Sequence, residues 1–218
     1  PEAPQVTSAT VSNQPHPVLS GKAEPASTVQ ASYDLNGDGQ PDVVYRTSAA
    51  ADGSFTVDLA TARPFSGTLP PGGLPDGRVA VSVVAIDPSN NTSQPHTFNI
   101  EINATPPDAP RITGVSDNVG AVTGPIANSG TTDDLTPTLS GSLARPLGTG
   151  ERLVIVRNGV EIASLTSVSG TTWSYEDSGL ALNQTYVYEA RVTNAVGNAS
   201  STSNGWQIQT RADPPAPL

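Results

Sequence analysis

The nine residues Asp34-Leu35-Asn36-Gly37-Asp38-Gly39-Gln40-Pro41-Asp42 are the part of the chain best suited to chemistry. Asp34, Asn36 and Asp38 alternate, so their side-chain oxygens can enter one concavity. Gly39 permits a sharp turn, Gln40 offers a backbone carbonyl and Asp42 a further carboxylate. That pattern matches the first nine positions of a calcium loop. The twelfth position is Tyr45, where a helix–loop–helix site needs a bidentate Glu, and no helix flanks the stretch. The chemistry to expect is a partial calcium loop between strands, completed by water or a neighbouring carboxylate. The alternative is a solvated hairpin turn, since Asn-Gly and Asp-Gly suffice for one. Close carboxylates repel one another unless a cation joins them, which favours calcium.

Other acids could extend the same chemistry. Asp117, Asn118, Asp133 and Asp134 fall in one long loop of the second half, Asp108 lies in a linker, and Asp213 lies near the end. A strand-end turn explains Asp117 and Asn118 as well, and a solvated turn explains Asp133 and Asp134. Asp87 precedes proline, where an Asp-Pro turn accounts for it equally. His16 and His96 lie in separate segments, too far apart in sequence and too few for a zinc site. There is no Gly-x-Ser-x-Gly elbow. Gly148-Thr149-Gly150 precedes a strand rather than a helix, so it is a loop and not a phosphate cradle. Trp173 alternates with Tyr175 and reads as core rather than a sugar platform, whereas Trp206 fits either core or surface. Asn91, Asn103, Asn183 and Asn198 stand in Asn-x-Ser/Thr sequences and read as incidental turn residues.

Composition limits what these groups can serve. The 20 acids and 10 bases give a net charge of −10, which disfavours nucleic acid and anionic membrane surfaces and favours divalent counterions. Cysteine is absent, so no disulfide or thiolate metal site can form. Methionine is absent too, as expected of an excerpt from a longer or processed chain. No apolar run approaches the roughly 18 residues of a membrane span, and no signal peptide is visible. The 20 glycines and 21 prolines fall between alternating apolar runs, which is turn chemistry rather than disorder.

The elements that must position these groups are strands. Alternation and turn signals predict strands at 4–10, 17–22, 28–34, 42–48, 53–59, 78–86 and 95–102. They predict a second set at 110–116, 136–142, 151–157, 160–167, 171–176, 185–194 and 204–210. Asn158-Gly159 supplies the positive φ of a tight hairpin. The two sets are repeats: PEAPQVT at Pro1 answers PDAPRIT at Pro107, and PPAP at Pro214 opens the motif again. LSG occurs at Leu19–Gly21 and Leu139–Gly141, and NTS at Asn91–Ser93 answers NAS at Asn198–Ser200. A period of about one sandwich's length predicts an all-β chain of two tandem immunoglobulin-like, Greek-key β-sandwich domains. They span 1–104 and 105–212, with 213–218 opening a linker to a following repeat. The boundary in NATPPDAP, Asn103–Pro110, is a short proline-rich linker, stiff for want of free φ angles. Sandwich loops alternate between the two ends, so loop 34–42 should lie where the first domain's chain leaves, facing Asp108. Asp117, Asp133 and Asp134 should lie at the same end of the second domain, facing Asp213.

The second repeat resembles the bacterial immunoglobulin-like repeats of giant type I-secreted surface adhesins, the biofilm-associated proteins. The resemblance rests on DAPRITGVSDNVGAVTGPIANSGTTDDLTPTLSG (Asp108–Gly141), TTWSYE (Thr171–Glu176) and VTNAVGNAS (Val192–Ser200). The first repeat lacks the DNVG–TDD insert and keeps LSG, DGSFTV (Asp52–Val57) and AIDPSNNTS (Ala85–Ser93). GLALNQTYVYEARVTN (Gly179–Asn194) also looks like fibronectin type III, with Tyr186 where that fold places a corner tyrosine.

The resemblance implies a secreted, rod-like array on a bacterial cell surface, stiffened by calcium at domain junctions. The expected partners are neighbouring repeats of the same chain. A host or matrix ligand would be held by other regions, with no nucleic acid, no direct membrane contact and a monomeric state. The expected role is a non-catalytic extender supporting adhesion or biofilm formation. A spacer in a secreted carbohydrate-active enzyme and a ligand-binding adhesin module are the alternatives. The paired carboxylates fall in turns and not across any cleft the sequence shows, so no catalysis is expected.

Overall fold

The computed structural model describes residues 1–212. Contacts divide the chain into two compact units, one from Pro1 to Thr105 and one from Pro106 onward. Among the described residues the regular elements are all strands.

In the first unit the strands are β1 (Gln5–Val6), β2 (Val11–Ser12), β3 (Val18–Lys22), β4 (Thr28–Asp34) and β5 (Val43–Ser48). They continue as β6 (Ser54–Asp58), β7 (Ser66–Gly67), β8 (Gly77–Ile86) and β9 (His96–Ile102). One sheet has the order β1-β3-β6 and the other β2-β9-β8-β4-β5-β7. Period-two side-chain alternation builds the core between them. Val29, Ala31 and Tyr33 of β4 are buried while Thr28, Gln30 and Ser32 face outward. Val79, Val81 and Val83 of β8 join them, with Leu19, Phe55 and Val57 from the opposite sheet.

The single first strand expected at 4–10 is cut short to Gln5–Val6, and a second short strand follows beyond it at Val11–Ser12. Gln5 pairs with Lys22 in one sheet, and Val11 runs parallel to Glu101 in the other. The amides of Thr7 and Ser8 both donate to the Ser20 carbonyl, at 2.9 and 3.3 Å, so the ladder breaks there and the chain crosses between sheets.

The second unit holds β10 (Arg111–Asp117), β11 (Gly124–Ile126), β12 (Gly130–Thr132), β13 (Thr138–Ser142) and β14 (Arg152–Arg157). It continues with β15 (Val160–Leu165), β16 (Thr172–Glu176), β17 (Thr185–Thr193) and β18 (Trp206–Thr210). Its sheets have the orders β11-β10-β13-β16 and β12-β18-β17-β14-β15. Asn158 (φ 51°) and Gly159 (φ 78°) close the β14–β15 hairpin with the left-handed pair that such a turn needs. The expected uninterrupted loop between β10 and β13 is corrected: it contains β11, antiparallel to β10, and β12, parallel to β18. Ile126 supplies the reason, because it is buried in the core and draws the insert onto the sheet edge.

The repeated motifs have physical counterparts. The glycine of each LSG sits under an aromatic ring of the paired strand: Gly21 beneath Phe55, and Gly141 beneath Trp173. A Cβ at either glycine would strike that ring and a backbone carbonyl of the first strand. The NTS and NAS motifs close equivalent turns. Asp87 accepts from the Asn91 amide at 2.9 Å, and Asn194 from the Asn198 amide at 2.9 Å. Four residues into each turn stands a positive φ, at Asn90 (64°) and Gly197 (91°). The hydroxyls of Ser93 and Ser200 then accept from the amides of Ala85 and Val192, at 3.0 and 2.9 Å.

Candidate functional site

Loop 34–42 leaves the last residue of β4. Asp34 pairs with Ala80 and Ala80 with Asn99 in the middle of β9, and β4 runs in the same direction as β9, so the loop lies toward the end where the chain leaves the first unit. Its side chains are occupied by its own backbone. Asp34 accepts from the amides of Gly37 and Gly39 at 2.7 and 2.8 Å. Asn36 accepts from the Asp38 amide at 2.9 Å and donates its carboxamide to Asp42 at 3.2 Å. Asp38 accepts from the Gln40 amide at 2.8 Å, and Asp42 from the Leu35 amide at 2.7 Å. Gly37 (φ 76°) and Gly39 (φ 82°) take the left-handed conformation that turns both amides toward Asp34.

The amide donors change the electrostatic argument. The Gly39 amide, aided by those of Gly37, Asn36 and Asp38, holds the Asp34 carboxyl below the usual carboxylate range. Amide hydrogens thus stabilise the negative charge that the sequence left to a cation. Among the described residues no three Asp, Glu, His or Cys side chains are grouped to hold a metal ion. The donor set has the hard-oxygen chemistry calcium takes. In this arrangement the oxygens face amides rather than one another, so a cation here would have to share or replace those hydrogen bonds.

The acids of the second unit are built differently. Thr132 pairs with Thr210, which puts Asp133 and Asp134 at the end where that unit's chain leaves. Asp117 and Asp134 are buried. The Thr132 hydroxyl donates to Asp117 and accepts from the Asp134 amide, so it joins the two. Asp117 also accepts from the Val119 amide at 2.9 Å. Asp134 accepts from the amide of Asn118 at 3.2 Å and from the amide and hydroxyl of Thr136 at 2.7 and 3.0 Å. Asp117, Asn118 and Asp134 are therefore brought together as a knot that fastens β10 to β12. Asp133 is half-buried against Gly120, whose positive φ and missing Cβ make room for its carboxylate. Asp117 and Asp133 line an open cleft of about 680 Å³ with Asn183 and Arg211.

The remaining candidates are dispersed. Asp108 is exposed, in a small cleft with Arg145 and Glu151. Glu151 holds the Arg145 guanidinium through two nitrogens at 2.7 and 2.8 Å, and Asp108 adds a weaker attraction to the same cation. Asp108 and loop 34–42 belong to different units. Asp213 lies outside the described residues. Asp87 lies at the opposite end of the first unit's sheet, after β8, holding the Asn91 side chain at 2.8 Å. His16 lies against Gly73, whereas His96 leans on Phe98 with ring centroids 5.5 Å apart. Trp173 is buried in the core. Tyr186 makes a tyrosine corner, its hydroxyl accepting from the Ala181 amide at 2.9 Å.

Two polar groups escaped the sequence reading. Asp177, buried at the end of β16, accepts from Arg157 at 2.8 Å, from the Tyr188 hydroxyl at 2.6 Å and from the Ser178 amide at 2.7 Å. Asp76 accepts from the amides of Ala104 and Thr105 at 2.7 and 3.2 Å. Neither has a local pattern that marks it, because every side-chain partner of Asp177 and both amides held by Asp76 are distant in sequence.

These hydrogen bonds set the acid response. The Thr105 side chain and the Ala104 amide depress Asp76, hydrogen bonds from Asn91 depress Asp87, and Arg145 depresses Glu151. Asp34 is depressed likewise. A carboxylate depressed in the folded state stabilises it above its unfolded pKa, and that stability is lost as pH falls through the folded value. The melting temperature should be level from pH 8 to about 5 and fall below about pH 4, where unfolded carboxylates protonate. A melting temperature equal at pH 7 and pH 3 would contradict this assignment.

No family model matches the sequence, and no curated protein matches it. Among solved structures the chain is similar to the fibronectin(III)-like modules of Clostridium thermocellum CbhA, with TM-score 0.49 and 13% identity over 96% of this chain and 94% of that one. It is also similar to the chicken CNTN1 FN1–FN3 domains, with TM-score 0.46 and 14% identity over 96% of this chain and 67% of that one. A two-domain fibronectin type III segment of chicken tenascin is similar at TM-score 0.30 and 16% identity, over 96% of this chain and 99% of that one.

Proposed function

We propose that the chain is a pair of tandem immunoglobulin-like extender modules of a secreted bacterial surface adhesin. In this reading it catalyses nothing, spaces other domains, and meets neighbouring repeats of its own chain end to end through a short proline-rich linker. The observation that carries it is the duplicated frame: an LSG glycine under an aromatic ring, and a matching capped turn, in both units. Duplication of a frame, with turns whose acids serve the backbone, suits a part selected for solubility and stiffness. The stretch GLALNQTYVYEARVTN (Gly179–Asn194) favours a second reading, a fibronectin-like spacer of a secreted enzyme, and the Tyr186 corner hydrogen bond is compatible with both readings. The domains adjoining this segment in the full chain separate the two: many like repeats, or one catalytic domain.

Calcium is part of the first reading, with loop 34–42 its principal site and the acids at the second unit's outgoing end its counterpart. Calcium titrated calorimetrically into the chelator-stripped chain should bind, and the scattering profile should lengthen. Stability would couple to the ion by mass action, with domain orientation loosening before either core unfolds. Heatless titration with an unchanged profile would reduce loop 34–42 to a turn and leave stiffness to the linker. Loss of β-sheet circular dichroism on chelation at room temperature would contradict the stated order.

A further inference from the structure

We propose that Asp76 is a clamp that fixes the direction in which the chain leaves the first unit. The inference rests on the spacer reading for its use, but not for its existence. Backbone amides in the departing segment can be accounted for one by one. The Asn103 amide donates to the Ser12 carbonyl at 2.9 Å, which extends the parallel pairing of β2 and β9 by one residue. The next two amides, of Ala104 and Thr105, donate to the two oxygens of Asp76. Pro106 and Pro107 then have no amide hydrogen to satisfy, and their rings fix φ. Proline at 106 also restricts Thr105 to extended conformations. Every backbone amide from Asn103 to Thr105 is thus tied to the first unit, and the two residues after them cannot rotate about φ.

The clamp is aimed by its own turn. Pro75 precedes Asp76, and Gly77 follows with φ of 107°, a conformation that L side chains rarely adopt. Gly77 opens β8 and pairs with Ile102, the last residue of β9, so the carboxylate is delivered beside the outgoing strand. A carboxylate receiving two consecutive amides is a charge-assisted, two-point contact, which resists rotation better than one hydrogen bond does. Nothing in this arrangement requires a metal ion. The clamp therefore supplies a stiffness at Thr105 that persists when calcium is removed.

Amide hydrogen exchange and 15N relaxation on the whole chain, in chelator, test this. The amides of Ala104 and Thr105 should exchange at least about tenfold slower than free peptide, and Asp76→Ala should return them to the free rate. Protection at Val81 and Ile100 should not change. In Asp76→Ala the tumbling times of the two units should also fall toward that of one unit alone. Free-peptide exchange at Ala104 and Thr105 in the parent chain would overturn the clamp. Protection without any change of tumbling in the variant would overturn its stiffening role. Should Asp76→Ala disturb β8, Asp76→Asn keeps the side chain's size with one good acceptor and should lose protection at one of the two amides. Exchange reads the clamp whatever the adjoining domains prove to be, so its failure and that of the spacer reading are separable.

Discussion

Asp177→Ala is expected to destabilise the second unit by about 3–5 kcal/mol, the cost of removing one partner from a buried ion pair. Asp177 is 2% exposed, and the Arg157 side chain 22%. Removal leaves the guanidinium the Ser178 carbonyl, at 3.0 Å, as an acceptor but takes away its charged partner. It also strips the Tyr188 hydroxyl, on a wholly buried ring, of its acceptor. Burial and the adjoining Asp177 already push the Tyr188 phenol up, so ionisation offers the hydroxyl no relief near neutral pH. The readout is direct, because both tryptophans, Trp173 and Trp206, belong to the second unit. Denaturant unfolding followed by tryptophan fluorescence should shift to a lower midpoint, while a first-unit signal such as the amide resonances of β4 and β8 keeps its own. The double variant Arg157→Leu/Asp177→Ala should lose less than the sum of the single losses, since the guanidinium is gone with its partner. A single-variant loss below about 1 kcal/mol would mean that Asp177 behaves as a surface ion pair.

The contrast between Asp177 and Asp34 shows what the sequence could disclose. TVQASYD reads as a half-buried strand because its alternation is long enough to display a period, and β4 follows it residue for residue. Strands of two or three residues, such as β2, β7, β11 and β12, have no period to display, and the crossing of the chain between sheets after β1 goes unseen with them. The turns were legible from Asn-Gly, Asp-Gly and Asp-Pro, since those dipeptides act locally. What their carboxylates face was not. Asp and Asn oxygens at alternate positions suit a cation and suit successive backbone amides equally well. Only the placement of Gly37 and Gly39 amides against Asp34 brings the second into view. Asp177 was invisible for a different reason. Arg157 lies 20 residues before it and Tyr188 11 after, a separation that only the sheets close.

Gly141→Ala should cost the second unit about 3 kcal/mol, at the upper end of ordinary overpacking. The added methyl would overlap the six-membered ring of Trp173 and the carbonyl oxygen of Arg111. Trp173 is 4% exposed and packs in the core, and the carbonyl belongs to the backbone of β10. The ring must shift into the core or β10 must move from β13, and either loses packing. Gly114→Ala is the internal control. Its Cβ would meet only the Ser140 hydroxyl, at 3.3 Å, so a side-chain rotation accommodates it for under about 1 kcal/mol. Trp173→Leu in the Gly141→Ala background should recover part of the loss, because the ring clash goes while the carbonyl clash stays; amide circular dichroism then replaces part of the fluorescence signal. Gly21→Ala should act alike on the first unit, where Phe55 and the Gln5 carbonyl occupy the same positions. Matching losses in the two units would make the shared LSG glycine a packing requirement of each sandwich. A loss at Gly141 no larger than at Gly114 would mean that the ring and strand yield freely, and that the repeated motif needs another explanation.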